Sequence, residues 1–291
     1  MDVGIQWPLV LFTLVAGAGC GLLAAAGMAR FVMPQAKKTR QTVLACVLAL
    51  LVIGGLMSVF HLSHPDRFMG AIVNLLSFSG IALELIGLAV CGVVTIVFLV
   101  YPCEENEGAA KAIGAIAVIA GVVAAFFHGH AYFEVSAQQG WNSISLAFCY
   151  LFTSLTAGVL IYAAFASSRD EGVGAAPAKT ADGLKFMGKV ALVLGVLAVI
   201  AMIAYVAKLG GAGLLEGAVL GMGVIAIVLE LAAVAAAGWF AFKGTAAPLA
   251  VGGAALGLGG GLAVRVLMWM VAVYGLNFFG QAAANHGLFM F

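Results

Sequence analysis

The stretch PLVLFTLVAGAGCGLLAAAGMARFVM, residues 8–33, holds a single charged side chain, Arg30, in 26 residues. A bilayer core about 30 Å thick is crossed by about 20 mostly apolar residues in helical conformation, so this stretch reads as a spanning helix. It is too long for the apolar region of a cleaved leader, and residues 1–7 lack the positive charge that opens one; the first helix is expected to remain in the mature protein. The pattern recurs along the chain. Apolar runs cover residues 42–62, 80–101, 109–131, 144–166, 184–208, 217–242 and 248–275, each long enough to span. The expected fold is all-α, with eight transmembrane helices. Composition agrees: 64% of the 291 residues are hydrophobic and 9% charged, against about a quarter charged in soluble domains, and the mean hydropathy is +1.17.

The breaks between runs hold most of the charge, including QAKKTRQ at 35–41 and PCEENEG at 102–108. The longest break, SSRDEGVGAAPAKTADG at 167–183, is rich in proline, glycine and charge. It reads as a linker between two four-helix halves, about 1–166 and 184–291, of one membrane domain. The last run, with Gly252, Gly253, Gly257, Gly259, Gly260 and Gly261, suits close helix packing. Of the 13 Lys and Arg residues, all but Arg67, Lys208 and Arg265 fall on the side reached after the first helix. The positive-inside rule then places both termini on the outer side.

A net charge of +1 without basic or acidic tracts offers nothing to nucleic acid. Cys20, Cys46, Cys91, Cys103 and Cys149 show no CxxC spacing, so the chain is expected to carry no iron–sulfur cluster and the thiols to pack as small apolar groups.

In this orientation every histidine lies toward the outer face: His61 and His64 after the second run, His128 and His130 at the end of the fourth, and His286 in the tail. The outer stretch HLSHPDRFMGAIVNLLSFSG, 61–80, leads into IALELIG, where Glu84 lies about four residues, or about 6 Å, inside the third helix. Intramembrane carboxylates are costly and mark function. Arg265 and Tyr274 approach the same level. Oxidising a quinol removes two protons and two electrons from a ring at the membrane boundary, and it requires bases beside the hydroxyls. Histidine and glutamate suit that task, so His61 and Glu84 are the expected proton acceptors, with His64, Arg67 and Arg265 as further contacts. Plainer roles stand beside these. His128 and His130 read as interfacial side chains in an aromatic belt with Tyr132 and Phe133, Arg67 also fits a membrane anchor, and Arg265 also fits a helix-pairing charge. Glu230, near the middle of the seventh helix, fits either a hydrogen bond within the bundle or a proton path.

WPLVLFTLVAGAGCGLL at 7–23, HLSHPDRF at 61–68, the following Glu84, and RVLMWMVAVYG at 265–275 resemble the membrane anchor, or C, subunit family of dimethyl sulfoxide reductase. Length and eight-helix layout agree over almost the whole chain, and the motif-level likeness is concentrated in the first third. The resemblance implies a multi-pass anchor in the cytoplasmic membrane of a prokaryote. It further implies menaquinol oxidation without a haem, and outer-face docking of a four-cluster iron–sulfur subunit and a molybdopterin catalytic subunit. It assigns the quinol-site histidine to His61, the loop arginine to Arg67 and the intramembrane glutamate to Glu84. Ser63 and His64 depart from the glycine that commonly follows the His-Leu pair, and His128 and His130 are not part of the family pattern. Two other classes remain open from sequence. One is a haem b electron carrier using His61 with His128 or His130; the other is a transporter built around Glu230.

Overall fold

The computed structural model describes residues 5–60, 70, 73–168, 177–243 and 247–272. Eight long helices account for nearly all of them: α1 (Trp7–Val32), α2 (Lys37–Phe60), α3 (Gly80–Val100), α4 (Glu107–Phe133), α5 (Ile144–Ser168), α6 (Pro177–Gly211), α7 (Gly217–Lys243) and α8 (Ala247–Met270). Each is long and apolar enough to cross a membrane. No strand occurs among the described residues. A 3₁₀ turn, Leu75–Ser77, precedes α3.

Three expected boundaries move. The helix read as 42–62 starts at Lys37, because lysine, arginine and glutamine favour helix and QAKKTRQ is not a breaker. Within the expected linker 167–183 the described residues, 167–168 and 177–183, are helical: α5 runs to Ser168 and α6 starts at Pro177, where proline's fixed φ suits a helix's first turn. The last helix stops at Met270, short of residue 275, with Ala272 N–H closing a turn on the Trp269 carbonyl.

Two helices are central. In α1 and α5, 78% and 72% of the most apolar stretch is buried, against 22–44% in the other six. Both are rich in small residues, which let backbones approach where lipid supplies no hydrophobic drive between helices. Gly21 of α1 crosses Gly158 of α5 so closely that a Cβ on Gly21 would collide with the Ser154 carbonyl, and one on Gly158 with the Gly21 backbone. Contacts run in sequence from α1 through α4 and back to α1, and from α5 through α8 and back to α5; α1 and α5 join the two sets.

Polar side chains tie the ends. At the face carrying the α1–α2 and α3–α4 turns, Arg30 donates to the Pro34 carbonyl at 3.0 Å and the Cys103 carbonyl at 2.9 Å. Arg40, buried against the Phe98 ring, pairs with Glu104 at 2.6 Å, and Lys37 lies 3.4 Å from the same carboxylate. Partial burial works against the Glu104 charge, but Arg40 and Lys37 outweigh it and hold the carboxyl below its usual range. A carboxylate lowered in the folded state adds stability above its unfolded pKa, about 4.3 for glutamate, and that stability is lost as pH falls through the folded value. Because the Glu104 side chain is 45% exposed, Glu104→Gln should cost only about 1 kcal/mol or less at neutral pH. Variant and parent unfolding curves should converge below about pH 4.

Candidate functional site

The inward residues of α3, Gly80, Glu84, Gly87, Cys91, Thr95 and Phe98, repeat at three- and four-residue steps, so one helix face carries them all. Glu84 therefore points into the protein, although it stands one turn from the helix start. Ser79 caps that start, accepting from Ala82 N–H at 3.4 Å. On α4 the buried residues include Gly121, Ala124, Ala125, His128 and Tyr132, and of these Ala124 and His128 meet the α3 stripe. Close approach of the helices needs Gly87, whose absent Cβ would stand 3.1 Å from that of Ala124.

The two stripes bring Glu84 and His128 together. Glu84 Oε1 and His128 Nδ1 are 3.3 Å apart, with His128 fully buried and Glu84 8% exposed. With Nδ1 protonated, His128 donates to the carboxylate; its other nitrogen, Nε2, lies 4.0 Å from Cys20 Sγ on α1. The edge-on Phe12 ring, 5.2 Å away at 85°, holds the imidazole in place. Glu134 sits above the pair, accepting the Gly80 N–H at 2.7 Å, where a carboxylate is favoured by a helix N-terminus.

A groove of about 280 Å³ begins one turn below the pair. Gly87, Ala124 and Phe127, from the turns adjoining Glu84 and His128, form its near end, and Val90, Ile119 and Val123 continue it. Its walls are apolar, and Val90, Ile119 and Val123 are exposed on the membrane-facing surface.

Arg265 forms a separate centre. Fully buried on α8, it donates through Nε to Thr13 Oγ1 at 3.1 Å, through Nη2 to the Thr13 carbonyl at 3.1 Å and through Nη1 to the Gly261 carbonyl at 2.8 Å. Its guanidinium carbon lies 4.1 Å from the centre of the Tyr150 ring, a favourable cation–π arrangement. Among the described residues no carboxylate is within ion-pair distance of it, so the expected helix-pairing charge is met by carbonyls and an aromatic face. Helix α1 stands between the two centres: Phe12 packs on His128, and the next residue, Thr13, binds Arg265.

Of the expected site residues, Glu84 and Arg265 are thus in view but not in contact, while His61, His64 and Arg67 lie outside the described residues, as do Tyr274 and His286. The reading of His128 as an interfacial side chain is corrected. His128 stands on the buried face of α4 with Gly121, Ala124 and Ala125, between Glu84 of α3 and Phe12 of α1, and the helix continues beyond the expected end at residue 131 to Phe133. His130 does lie near the surface, packed on Phe126 and Phe133, with Nδ1 3.4 Å from Glu134 Oε1. Sequence reasoning missed His128 and Glu134. The available signal was the i, i+4, i+7 spacing of Gly121, Ala125 and His128, which marks a packed face. All five cysteines are free, and Cys20, Cys91, Cys103 and Cys149 are buried. No group of three or more metal-ligating side chains stands together among the described residues.

A family model described as DMSO reductase anchor subunit (DmsC) matches residues 1–203, which include Glu84 and His128 but neither Glu230 nor Arg265. No curated protein matches the chain.

Proposed function

The chain belongs to the DMSO reductase anchor subunit (DmsC) family, whose members anchor an oxidoreductase complex of the DMSO reductase type in the membrane, and from that premise we propose that it oxidises menaquinol beside Glu84. The observation that carries this reading is a buried Glu84–His128 pair at the head of an apolar, lipid-facing groove. An isoprenoid quinol needs such a combination: an apolar channel for its tail and a base at the level of its ring.

Glu84 is the proton acceptor. Its Oε1 is engaged by His128, which leaves Oε2 to take a proton from a ring hydroxyl, while His128, steadied by Phe12, holds the carboxylate in place. His61, assigned by family resemblance, takes the second proton, with His64 and Arg67 as neighbouring contacts. Arg265 acts from behind α1 by fixing Thr13 and hence the placement of Phe12. Loss of two protons and two electrons turns the quinol into quinone. The electrons leave to an iron–sulfur cluster of a docked partner, which passes them to a molybdopterin subunit, and the protons leave at the face where Glu84 lies. That face is the outer side of a prokaryotic cytoplasmic membrane, in keeping with the Lys and Arg distribution. In the haem b alternative His128 would serve as a ligand, but its nitrogens face Glu84 and Cys20. The transporter alternative calls for interrupted helices in matching halves, whereas α1 to α8 are continuous.

The groove supplies the test. Val123→Trp fills it from the membrane side, where Val123 is 42% exposed and a larger side chain is tolerated. The variant should bind a fluorescent menaquinol analogue at least about tenfold more weakly, since such a change corresponds to about 1.4 kcal/mol of lost contact. Ile96→Trp, on an exposed surface outside the groove, should not. Equal affinity in the two variants removes the groove from the quinol site.

A further inference from the structure

Glu230 is fully buried near the middle of α7, and neither of its carboxyl oxygens has a hydrogen-bond partner. Thr156 of α5 is likewise fully buried, and its Oγ1 is also unpartnered. The two side chains approach one spot. A Cβ built on Gly195 of α6 would lie 3.5 Å from Thr156 Cγ2 and 3.8 Å from Glu230 Oε1. On α8, a Cβ on Gly260 would lie 2.9 Å from Glu230 Oε2, and one on Gly257 4.0 Å from it. Glycines on α6 and α8 thus leave the space that the carboxyl fills, and the Thr156 side chain, whose methyl borders that space, brings a third unpartnered oxygen into the neighbourhood.

A carboxylate is not stable in such a place without a counter-charge. The sequence of α5 carries no charged side chain, and that of α7 carries only Glu230 and the terminal Lys243. On α8 the one charged residue, Arg265, is engaged by Thr13, Gly261 and Tyr150. The acidic and basic groups of α6 are Lys179, Asp182, Lys185, Lys189, Tyr205 and Lys208. Among the described residues no cation is within ion-pair distance of Glu230. The uncharged ionisable groups of α5 are Cys149, Tyr150 and Tyr162; Cys149 and Tyr150 lie nearly two turns from Thr156 toward the Arg265 centre, and Tyr162 lies six residues from Thr156 in the other direction. A hard divalent cation takes six or more oxygens, and only three are unpartnered here. One proton removes the charge, and one water gives both Glu230 and Thr156 a hydrogen-bond partner, meeting the minimum of two polar contacts a buried water needs.

We propose that Glu230 and Thr156 form an internal proton-binding site at the centre of α5, α6, α7 and α8, occupied by one proton on Glu230 and one water bridging it to Thr156. Glu230 lies beyond the residues matched by the family model and Thr156 within them, and the site does not depend on the quinol reading. Proton relays are among the functions that intramembrane acids mark. This one stands at mid-depth, separated from Glu84 by the Arg265 centre and α1.

Infrared spectroscopy of the full-length chain in its purified complex tests it. The parent at neutral pH should show the C=O stretch of a protonated carboxylic acid that shifts in D₂O and disappears in Glu230→Gln. That variant should fold and assemble normally, because glutamine replaces a neutral acid of the same shape. Thr156→Val should keep the band but move it to higher frequency, as expected for an acid that loses its water partner. A parent spectrum without a Glu230→Gln-sensitive acid band, or a Glu230→Gln chain that fails to assemble, shows a required charge and overturns the proposal. An acid band unmoved by Thr156→Val overturns the bridging water.

Discussion

Glu84→Gln and His128→Leu should each lower menaquinol-dependent turnover by about 10²- to 10⁴-fold, the range for removing a positioned proton acceptor, while turnover driven by an artificial donor to the partner subunits stays near the parent level. Glutamine preserves the shape of Glu84 and most of its packing but cannot accept a proton at neutral pH. Leucine at 128 acts differently. It leaves Oε1 of Glu84 without the only hydrogen-bond partner it has among the described residues, in surroundings where an unpartnered polar group is costly. The carboxylate is then free to turn away from the ring. His128→Gln, which restores a donor, should recover part of the activity. Parallel assays with menaquinol and with the artificial donor distinguish the cases. If both activities fall equally, the pair serves assembly and not proton transfer.

The second large effect concerns the α1–α5 crossing. Gly158→Ala should destabilise the chain by about 1–3 kcal/mol or more, the usual cost of overpacking, because its new Cβ meets the backbone of Gly21 and a backbone cannot turn aside as a side chain can. Gly221→Ala, on α7, places its Cβ where nothing lies within 4 Å. That change should stabilise by about 0.5–1 kcal/mol, the ordinary helical advantage of alanine over glycine. Unfolding in graded denaturing detergent would measure both. Two glycine substitutions of the same chemistry are thus expected to differ in sign, and equal effects would contradict the close crossing.

Hydropathy was sufficient to find all eight helices, because the membrane requirement is written in length and charge content and needs no knowledge of neighbours. Glu84 was legible for the same reason: a carboxylate inside an apolar run is conspicuous. His128 was not. In FFHGHAYF it stands among aromatic residues near the end of a run, a local pattern shared by interfacial belts, and only the partner stripe on α3 makes it a buried group. Arg265 was found, but its setting was not, because Thr13 and Tyr150 come from helices distant in sequence. At both ends of the break at 167–183 the described residues are helical for a local reason. Its charged and small residues looked like linker, yet those after Pro177 are compatible with helix, and Gly183 lets α6 pack closely on Met33 at the end of α1.

The burial of α1 also bears on biogenesis. Translation delivers α1 before α4 and α5, which cover much of its surface and emerge only after two further helices have been threaded into the bilayer. Until then a ridge of glycine and alanine faces acyl chains, offering few large side chains to grip them and exposing its backbone through the notch at Gly21. A nascent chain interrupted before Gly158 would keep that notch open. A helix made before the neighbours that cover it is thus enclosed only when they arrive.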